Sequence, residues 1–323
     1  MREGWQRGEG ELTLDAAEVG RLVSEAIPAA SVTAFRPARG GLSNTNIEVD
    51  LAGAPFKVLL RLYQRDRAAA PREAALSALV LRRAVPAPRF LHIGDRNGWP
   101  YAVLGWIEGS RLETVAPGLA DEDLAALGHS LGRLLASIHG VAFERAGFFD
   151  ARLAVAEPID LGREGLRGFL HRYLVEGVGG ERLGSQLTAA LLAYVESQGH
   201  RLEAWLGRPC LTHADFNGSN ILVRRVGAAW EVAAVLDWEF AFSASPAFDF
   251  GNLLRPPLGQ RPGFTAALTA AYLEAGGWLP PDWQAIARLA DLYAWVDFLS
   301  RPAASPALIE DARRMIGETI DTV

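Results

Sequence analysis

The first third of the chain alternates apolar and polar residues, and this spacing predicts β-strands. Five such runs lie between residues 31 and 107. Apolar residues at helical spacing predict one helix before these strands, over 14–26, and one among them, over 72–84. Prolines 86 and 88 end the second helix, because proline cannot donate a helical hydrogen bond. We therefore expect an antiparallel sheet with an inserted helix.

Beyond residue 120 the spacing becomes helical. An amphipathic run over 119–141 predicts a long helix with Asp121 as its N-cap. Further helical patterns occur at about 162–176, 183–206, 263–275, 282–299 and 305–319, with a β-rich segment at 211–240. The predicted fold class is α+β with two lobes. The small N-terminal lobe, with its sheet plus helix, covers residues 1–109, and the larger, mainly helical lobe covers residues 110–323.

Composition argues against several classes of protein. The length of 323 residues exceeds the usual size of one domain, which fits two lobes. The formal charge is −6 and no basic block occurs, so we expect no nucleic-acid partner. No apolar run reaches the roughly 18 residues of a membrane span, and the polar N-terminus lacks the apolar core of a signal peptide. The single cysteine, Cys210, suits a reducing compartment, so we expect a cytoplasmic location and no membrane.

The β-rich segment brings together oxygen-bearing side chains. Two β-type runs within residues 221–237 flank a turn of small residues. If they form an antiparallel hairpin centred between Ala228 and Ala229, Asn220 and Asp237 lie equally far from the turn and face each other. A carboxylate and a carboxamide oxygen are hard ligands of the kind Mg²⁺ prefers. The hairpin therefore predicts a magnesium site at its open end.

Asp215 lies five residues before Asn220, on the loop that enters the hairpin. A carboxylate held there can accept a hydrogen bond from a hydroxyl nucleophile, as a general base or an orienting group. His213, two residues earlier, could bond the loop backbone. Alone, this H-x-D is typical of an ordinary capped turn. Its combination with Asn220 and Asp237 favours a functional site.

The same segment resembles the aminoglycoside phosphotransferase and choline kinase-like family, which has a protein-kinase-like fold. The likeness lies in HADFNGSN, in the following LDWEF and in SPAFDFG, where Ser245 stands at a position that the family often gives to aspartate. The resemblance implies that Asp215 is the catalytic base or hydroxyl-orienting residue and that His213 is a scaffold residue. It implies Asn220 and Asp237 as the Mg²⁺ ligands.

Two acidic residues downstream have less definite roles in this resemblance. Asp249 is expected to brace the catalytic loop from below. Glu239 follows Asp237 by two positions, and a structural role and a contact near the metal both remain open. His139, at the end of the long helix, is expected to lie beside the catalytic loop.

No phosphate-binding P-loop and no dinucleotide-binding glycine motif occurs in the sequence. The segment RGGLSNTN, residues 39–46, instead resembles the glycine-containing loop with which the family covers its nucleotide. The nucleotide contacts implied for this loop are Gly40, Gly41, Ser43 and Asn44. The segment YAVLGWIEG resembles the family's hinge, at about 104–109, whose backbone groups at Gly105 and Ile107 would bind the adenine edge.

The family also needs a cation on the third strand. Lys57 and Arg61 point to one face of that strand, because side chains alternate with period two. The resemblance favours Arg61 and leaves Lys57 as the alternative. Glu73, on the following helix, is the expected partner of the cation.

Together these residues predict an ATP- and Mg²⁺-dependent kinase that phosphorylates a hydroxyl of a small molecule. The alternatives are a protein serine/threonine kinase-like enzyme, for which no D-F-G or A-P-E motif is visible, and a non-catalytic nucleotide-binding protein. The sequence does not specify the acceptor, the choice between ATP and GTP, or the oligomeric state. Four acidic residues could supply negative charge for an amine-bearing acceptor, although charges scattered on helices are usually solvated: Asp291, Asp297, Glu310 and Asp311. Four aromatic residues could line a pocket, although aromatic residues at helical spacing more often belong to the core: Trp283, Tyr293, Trp295 and Phe298.

Overall fold

The N-terminal region is built on a five-stranded sheet in the order β1-β2-β3-β5-β4, in which all neighbours are antiparallel. The computed structural model describes residues 12–38 and 44–321. Its first elements are α1 (Ala16–Ala26), β1 (Val32–Pro37), β2 (Thr45–Leu51), β3 (Lys57–Leu62), α2 (Ala69–Leu81), β4 (Phe90–Arg96) and β5 (Trp99–Gly105).

Helix α1 packs on this sheet through an apolar stripe. It begins with a capping box, in which the side chains of Asp15 and Glu18 each accept from the other's backbone N–H group. Its buried side chains are Val19, Leu22 and Val23. They form one apolar cluster with alternate residues of β2 and β3.

Helix α2 joins the sheet to the rest of the molecule. It begins at Ala69, three residues before the predicted start, because Pro71 lies in the first turn, where a missing N–H breaks no helical bond. Leu76 and Val80 on this helix are fully buried and belong to the apolar cluster of the C-terminal region.

The C-terminal region is mainly helical. Its elements in chain order are β6 (Ser110–Arg111), α3 (Leu112–Val115), α4 (Asp121–His139), β7 (Gly147–Phe149), β8 (Val155–Pro158), α5 (Arg163–Leu170), α6 (Gly179–Leu183), α7 (Ser185–Gln198), β9 (Cys210–Thr212), β10 (Ile221–Val226), β11 (Ala229–Val235), β12 (Phe242–Ala244), α8 (Ala247–Leu253), α9 (Pro262–Glu274), α10 (Trp283–Ser300) and α11 (Pro306–Ile320). The predicted α+β fold, with an antiparallel sheet followed by a mainly helical region, is confirmed.

Several helix boundaries differ from those predicted. Asp121 is the first helical residue of α4, and Ala120 occupies the N-cap position without a side-chain bond, so the N-cap prediction is wrong. The run expected at 162–176 is α5 followed by a π-helical turn, His171–Val175. Among the helices of the described ranges, none is long and apolar enough to cross a membrane.

Two small sheets accompany these helices. Strands β11, β10 and β6 form one, and β8, β7, β12 and β9 form the other. The sequence does not predict the four-stranded sheet, because its strands have only three or four residues and show no readable alternation. The chain leaves the first sheet at Gly105 and enters the β10–β11 sheet at Ser110. The division into domains at 109 and 110 stays a prediction.

Helices α4 and α9 pack closely because α4 presents glycine at the contact. A Cβ atom added at Gly132 would lie 2.2 Å from the carbonyl oxygen of Leu268 and 2.9 Å from the backbone nitrogen of Tyr272. One added at Gly128 would lie 2.6 Å from the carbonyl oxygen of Phe264. The close approach sets the position of Tyr272 relative to His139 at the end of α4.

We expect Gly132→Ala to destabilise the fold by about 1–3 kcal/mol, because its methyl group would meet backbone atoms that cannot move aside alone. Gly317→Ala is the matched control, since a Cβ there meets no atom within 4 Å. That variant should gain up to about 1 kcal/mol from helix propensity. Thermal unfolding of the two variants checks this, and equal melting temperatures would contradict the packing account.

Candidate active site

The β10–β11 hairpin places Asn220 beside Asp237, although not in the predicted register. The turn is centred one residue earlier than expected. A bulge between Leu222 and Val223 then shifts the pairing of the two strands by one residue, towards the predicted register. As a result, the N–H of Leu236 donates to the carbonyl oxygen of Asn220 at 2.8 Å. Asn220 therefore faces Leu236, and Asp237 is the next residue along.

Asp215 is held by two asparagine amides. Asn220 Nδ2 donates to Asp215 Oδ2 at 2.7 Å, and Asn217 Nδ2 donates to Asp215 Oδ1 at 2.6 Å. An ionised carboxylate only accepts hydrogen bonds, so the NH₂ group of Asn220 must face it. The Oδ1 atom of Asn220 is consequently turned away from Asp215.

His213 connects the loop to the end of the hairpin. Its Nε2 lies 2.8 Å from the carbonyl oxygen of Leu236, and its Nδ1 lies 3.2 Å from the backbone nitrogen of Asp215. Because Leu236 offers only an acceptor and the Asp215 nitrogen only a donor, the proton belongs on Nε2. The ring therefore ties the start of the loop to the strand that leads to Asp237.

Asp249 fixes the backbone of the same loop from below. Its carboxylate is fully buried and accepts from the N–H groups of His213, at 3.0 Å, and Ala214, at 2.8 Å. Ala214 has φ 64°, in the left-handed region that alanine rarely adopts. The two bonds to a carboxylate stabilise this otherwise strained turn.

A buried histidine and tyrosine extend this support. His139 Nε2 lies 3.1 Å from Asp249 Oδ2, and His139 Nδ1 lies 3.0 Å from the hydroxyl oxygen of Tyr272. Burial raises the pKa of Tyr272, so its hydroxyl is a proton donor to Nδ1. His139 lies beside the residues that support the loop, where the family resemblance places it, whereas no pattern in the sequence singles out Tyr272.

Arg61 joins the first sheet to the hairpin. Its Nη1 atom lies 2.7 Å from Glu73 Oε1 and 3.0 Å from Asp237 Oδ1, and its Nε donates to Asn46 Oδ1 at 3.0 Å. Burial by itself would lower the pKa of Arg61, but the adjacent Glu73 and Asp237 outweigh it and raise that pKa. The predicted pairing of a strand cation with Glu73 is thus present in the geometry, made by Arg61.

Lys57 lies elsewhere. Its Nζ contacts Glu48, lies 3.6 Å from Asp50, and sits 4.9 Å from the ring centroid of Trp106. It makes no contact with Glu73 or Asp237. The two cations share a face of β3, but only Arg61 reaches the buried carboxylates.

Tyr63, which the sequence did not single out, orients Glu73. Its hydroxyl donates to Glu73 Oε2 at 2.5 Å, while Glu73 Oε1 receives Arg61. Burial and the neighbouring Glu73 raise the pKa of Tyr63, so the hydroxyl stays protonated and both carboxylate oxygens are occupied.

Glu239 is buried close to this ion pair. Its Oε2 accepts from Asn44 Nδ2 at 2.9 Å, whereas its Oε1 is buried without a hydrogen bond. Burial, followed by the negative charges of Asp237 and Glu73, raises the pKa of Glu239 to about 8. Gly40, Gly41 and Ser43 lie outside the described residues, so of the predicted nucleotide loop only Asn44 is placed.

A cavity of about 480 Å³ opens between the first sheet and the hairpin. Gly105, Ile107 and Arg61 line it, as do Leu222 and Leu236. The N–H of Gly105 is already bonded to the carbonyl oxygen of Arg89 at 2.9 Å, which leaves only its carbonyl group for a base. The volume is within the range of small-molecule sites.

The side chains suggested as contacts for an amine-bearing acceptor are mostly paired or packed. Asp291 is buried, 2.9 Å from Arg255 Nε and 2.7 Å from Trp295 Nε1, so it is not available to a substrate. Asp297 pairs with Arg301 at 2.7 Å. The four aromatic residues pack in the apolar core: Trp283, Tyr293, Trp295 and Phe298.

Comparison with known proteins identifies the family. The sequence model of the APH phosphotransferase enzyme family matches residues 34–289 of the 323. The chain belongs to this family. It is therefore a kinase-type enzyme, a phosphotransferase. A search of curated proteins finds no match.

Solved structures share the fold of this phosphotransferase at low sequence identity. The GDP complex of aminoglycoside 2'-phosphotransferase-IIIa is 16% identical, with a TM-score of 0.73 over 95% of this chain and 99% of that one. A macrolide 2'-phosphotransferase from Brachybacterium faecium is 21% identical, with a TM-score of 0.64 over 94% and 98%. Aminoglycoside phosphotransferase APH(4)-Ia is 17% identical, with a TM-score of 0.65 over 95% and 99%.

We expect Asp249→Asn to lower the free energy of unfolding by about 1–3 kcal/mol, because an amide has one acceptor oxygen for the three donors that converge there. Asp150→Asn is the matched control. Asp150 also accepts from two backbone N–H groups, but at an exposed turn, so its loss should stay below about 1 kcal/mol. Chemical denaturation measures both, and a loss at Asp249 no larger than that at Asp150 would contradict the account.

Proposed function

We propose that this phosphotransferase moves the γ-phosphoryl group of ATP to a hydroxyl of a small molecule, with Mg²⁺ as cofactor. The observation that carries the proposal is the convergence of Asp215, Asn220 and Asp237 at one end of the hairpin. Arg61 reaches Asp237 there from the first sheet. Phosphoryl transfer depends chiefly on positioning and on neutralising charge, which this arrangement supplies.

Asp215 is the proposed catalytic residue that orients the acceptor hydroxyl. The asparagines that bond each of its oxygens, Asn217 and Asn220, hold the carboxylate in one orientation. A carboxylate oxygen can accept more than one hydrogen bond, so the bonds from the asparagines are compatible with the proposed acceptance of the hydroxyl proton. His213 acts through the backbone, as a positioning residue.

The residues at the hairpin end fit a magnesium ion. Among residues 12–38 and 44–321, no group of three or more His, Cys, Asp or Glu side chains is arranged as a metal site. Mg²⁺, however, commonly uses one or two protein oxygens together with phosphate oxygens and water. Asp237 and the outward Oδ1 of Asn220 would hold it. When bound, the ion would neutralise charge on the phosphate oxygens.

The cavity between the sheet and the hairpin is the proposed nucleotide site. The carbonyl of Gly105 and the N–H of Ile107 would contact the adenine edge, at the cavity's wall. Arg61, oriented by Glu73, would face the phosphates. Gly40, Gly41, Ser43 and Asn44 are proposed to cover them, as in the family's loop. A small-molecule acceptor and a cytoplasmic location are parts of the same proposal.

Asp215→Asn should reduce phosphorylation of the acceptor on the order of 100- to 10,000-fold, because an amide cannot accept the hydroxyl proton. ATP binding and the melting temperature should change little. Asp95→Asn, at the turn after β4, is the charge-matched control and should retain activity. Turnover of Asp215→Asn near the wild-type rate would refute the assignment.

Arg61→Lys should raise KM for ATP about 10- to 100-fold, because an ammonium group cannot span Glu73, Asp237 and Asn46 as the guanidinium does. Lys57→Ala removes the other candidate cation and should change that KM by less than about 5-fold, since its ion pairs are near the surface. Steady-state kinetics with varied ATP compares them. A larger effect at Lys57 would reverse the choice of cation.

A further inference from the structure

The cavity between the first sheet and the hairpin has one acidic side chain in its wall among the described residues, that of Glu48. Glu48 lies on β2, where side chains alternate between the two faces of the sheet. Ile47 and Val49 belong to the apolar cluster packed with α1, so Asn46 and Glu48 point to the opposite face, which lines the cavity. Glu48 takes no part in the metal or phosphate contacts proposed above.

The register of the sheet places Glu48 between the two ends of the proposed nucleotide site. Glu48 pairs with Leu59, two residues before Arg61 on β3, which is about 7 Å along the strand. Gly105, at the proposed base edge, pairs with Val58, one residue further from Arg61. The sugar of a nucleotide lies between its base and its phosphates. A nucleotide with its base at Gly105 and its phosphates at Arg61 therefore brings its sugar beside Glu48.

The Glu48 carboxylate is held in place through one of its two oxygens. Its Oε1 accepts from Nη2 of Arg36 and from Nζ of Lys57. Arg36 lies opposite Glu48 on β1, and its Nη1 also donates to Asp50 Oδ2 at 2.7 Å. Among residues 12–38 and 44–321, no donor bonds Glu48 Oε2. The ion pairs thus fix the carboxylate and leave its second oxygen able to accept a hydrogen bond from a ligand.

We propose that Glu48 makes the enzyme selective for ribonucleotides, because its Oε2 accepts a hydrogen bond from a ribose hydroxyl. The inference rests on the proposed phosphotransferase function and names the sugar of its nucleotide. Carboxylates bind ribose hydroxyls in this way in dinucleotide-binding folds. The neighbouring Leu59, and Leu222 and Leu236 in the same cavity, are apolar and offer the sugar no hydrogen bond from their side chains.

The first experiment measures the affinity of the wild-type protein for ATP, 2'-deoxy-ATP and 3'-deoxy-ATP by calorimetry with Mg²⁺, which needs no acceptor. We expect at least one deoxy analogue to bind about 10- to 100-fold more weakly than ATP, because a hydrogen bond to a charged group is lost. The analogue that binds weakly shows which hydroxyl Glu48 contacts. Equal affinity for all three nucleotides overturns this inference and leaves the phosphotransferase function standing. No binding of any of them counts against both.

The second experiment repeats the titrations with variants of Glu48. Glu48→Ala should weaken ATP binding about 10- to 100-fold and leave the affinity for the weaker analogue close to wild type, so that the discrimination disappears. Glu48→Gln keeps an acceptor oxygen without the charge and should recover part of the discrimination. Melting temperatures of both variants show that the fold is retained.

Asp50→Ala is the matched control. Asp50 is the next residue on the same face of β2 and contacts the same two cations, Arg36 and Lys57, but it does not line the cavity. This variant should discriminate between ATP and the deoxy analogues as the wild type does. Loss of discrimination in Asp50→Ala equal to that in Glu48→Ala would assign the effect to the ion pairs and overturn the inference.

Two further results would overturn it by pointing to another role for Glu48. If Glu48→Ala binds ATP and both deoxy analogues more tightly to the same extent, the carboxylate acts only through repulsion of the phosphates. If Glu48→Ala keeps the discrimination against the deoxy analogues but loses a preference of the wild type for ATP over inosine triphosphate, the contact is with the exocyclic amine of the base.

Discussion

The catalytic loop keeps its shape because one buried carboxylate gathers its backbone N–H groups. Asp249 accepts from His213 and from Ala214, whose left-handed backbone costs an alanine about 1–2 kcal/mol. Hydrogen bonds to a buried charge are strong enough to offset that strain. His213 links the loop to the hairpin, because its ring bonds the carbonyl oxygen of Leu236 on one side and the backbone nitrogen of Asp215 on the other. Once Asp249 is in place, the positions of the loop and the hairpin end depend on each other.

Arg61 imposes a similar dependence across the cleft. A buried guanidinium is unstable without carboxylate partners, and its partners come from two different elements, Glu73 on α2 and Asp237 beyond β11. The sheet, helix α2 and the hairpin therefore have to assemble together for the charge to be compensated. Tyr63 completes this arrangement by bonding the second oxygen of Glu73. The fork geometry explains why arginine serves here, because one nitrogen faces both carboxylates while another bonds Asn46.

The parts of the site that the sequence predicts are those fixed by local spacing. Asp215 and Asn220 are five residues apart on one loop, so their contact needs only that the loop turns back. The placement of Asp237 depends on hairpin register, and the predicted turn was one residue late. A bulge at Ala233 of β11 recovered part of that offset and left Asn220 opposite Leu236, and nothing in the sequence marks a bulge.

Contacts set by tertiary packing were beyond prediction. The hydrogen bond of Tyr272 spans 133 residues and exists because glycines let α9 approach α4. The alternation of side chains along a strand places Lys57 and Arg61 on the same face, so it cannot show which of them pairs with Glu73. That choice depends on where α2 packs against the sheet. Asp291 was considered as a charge that a substrate could contact, because the spacing of residues along a helix does not show that Asp291 is buried against Arg255.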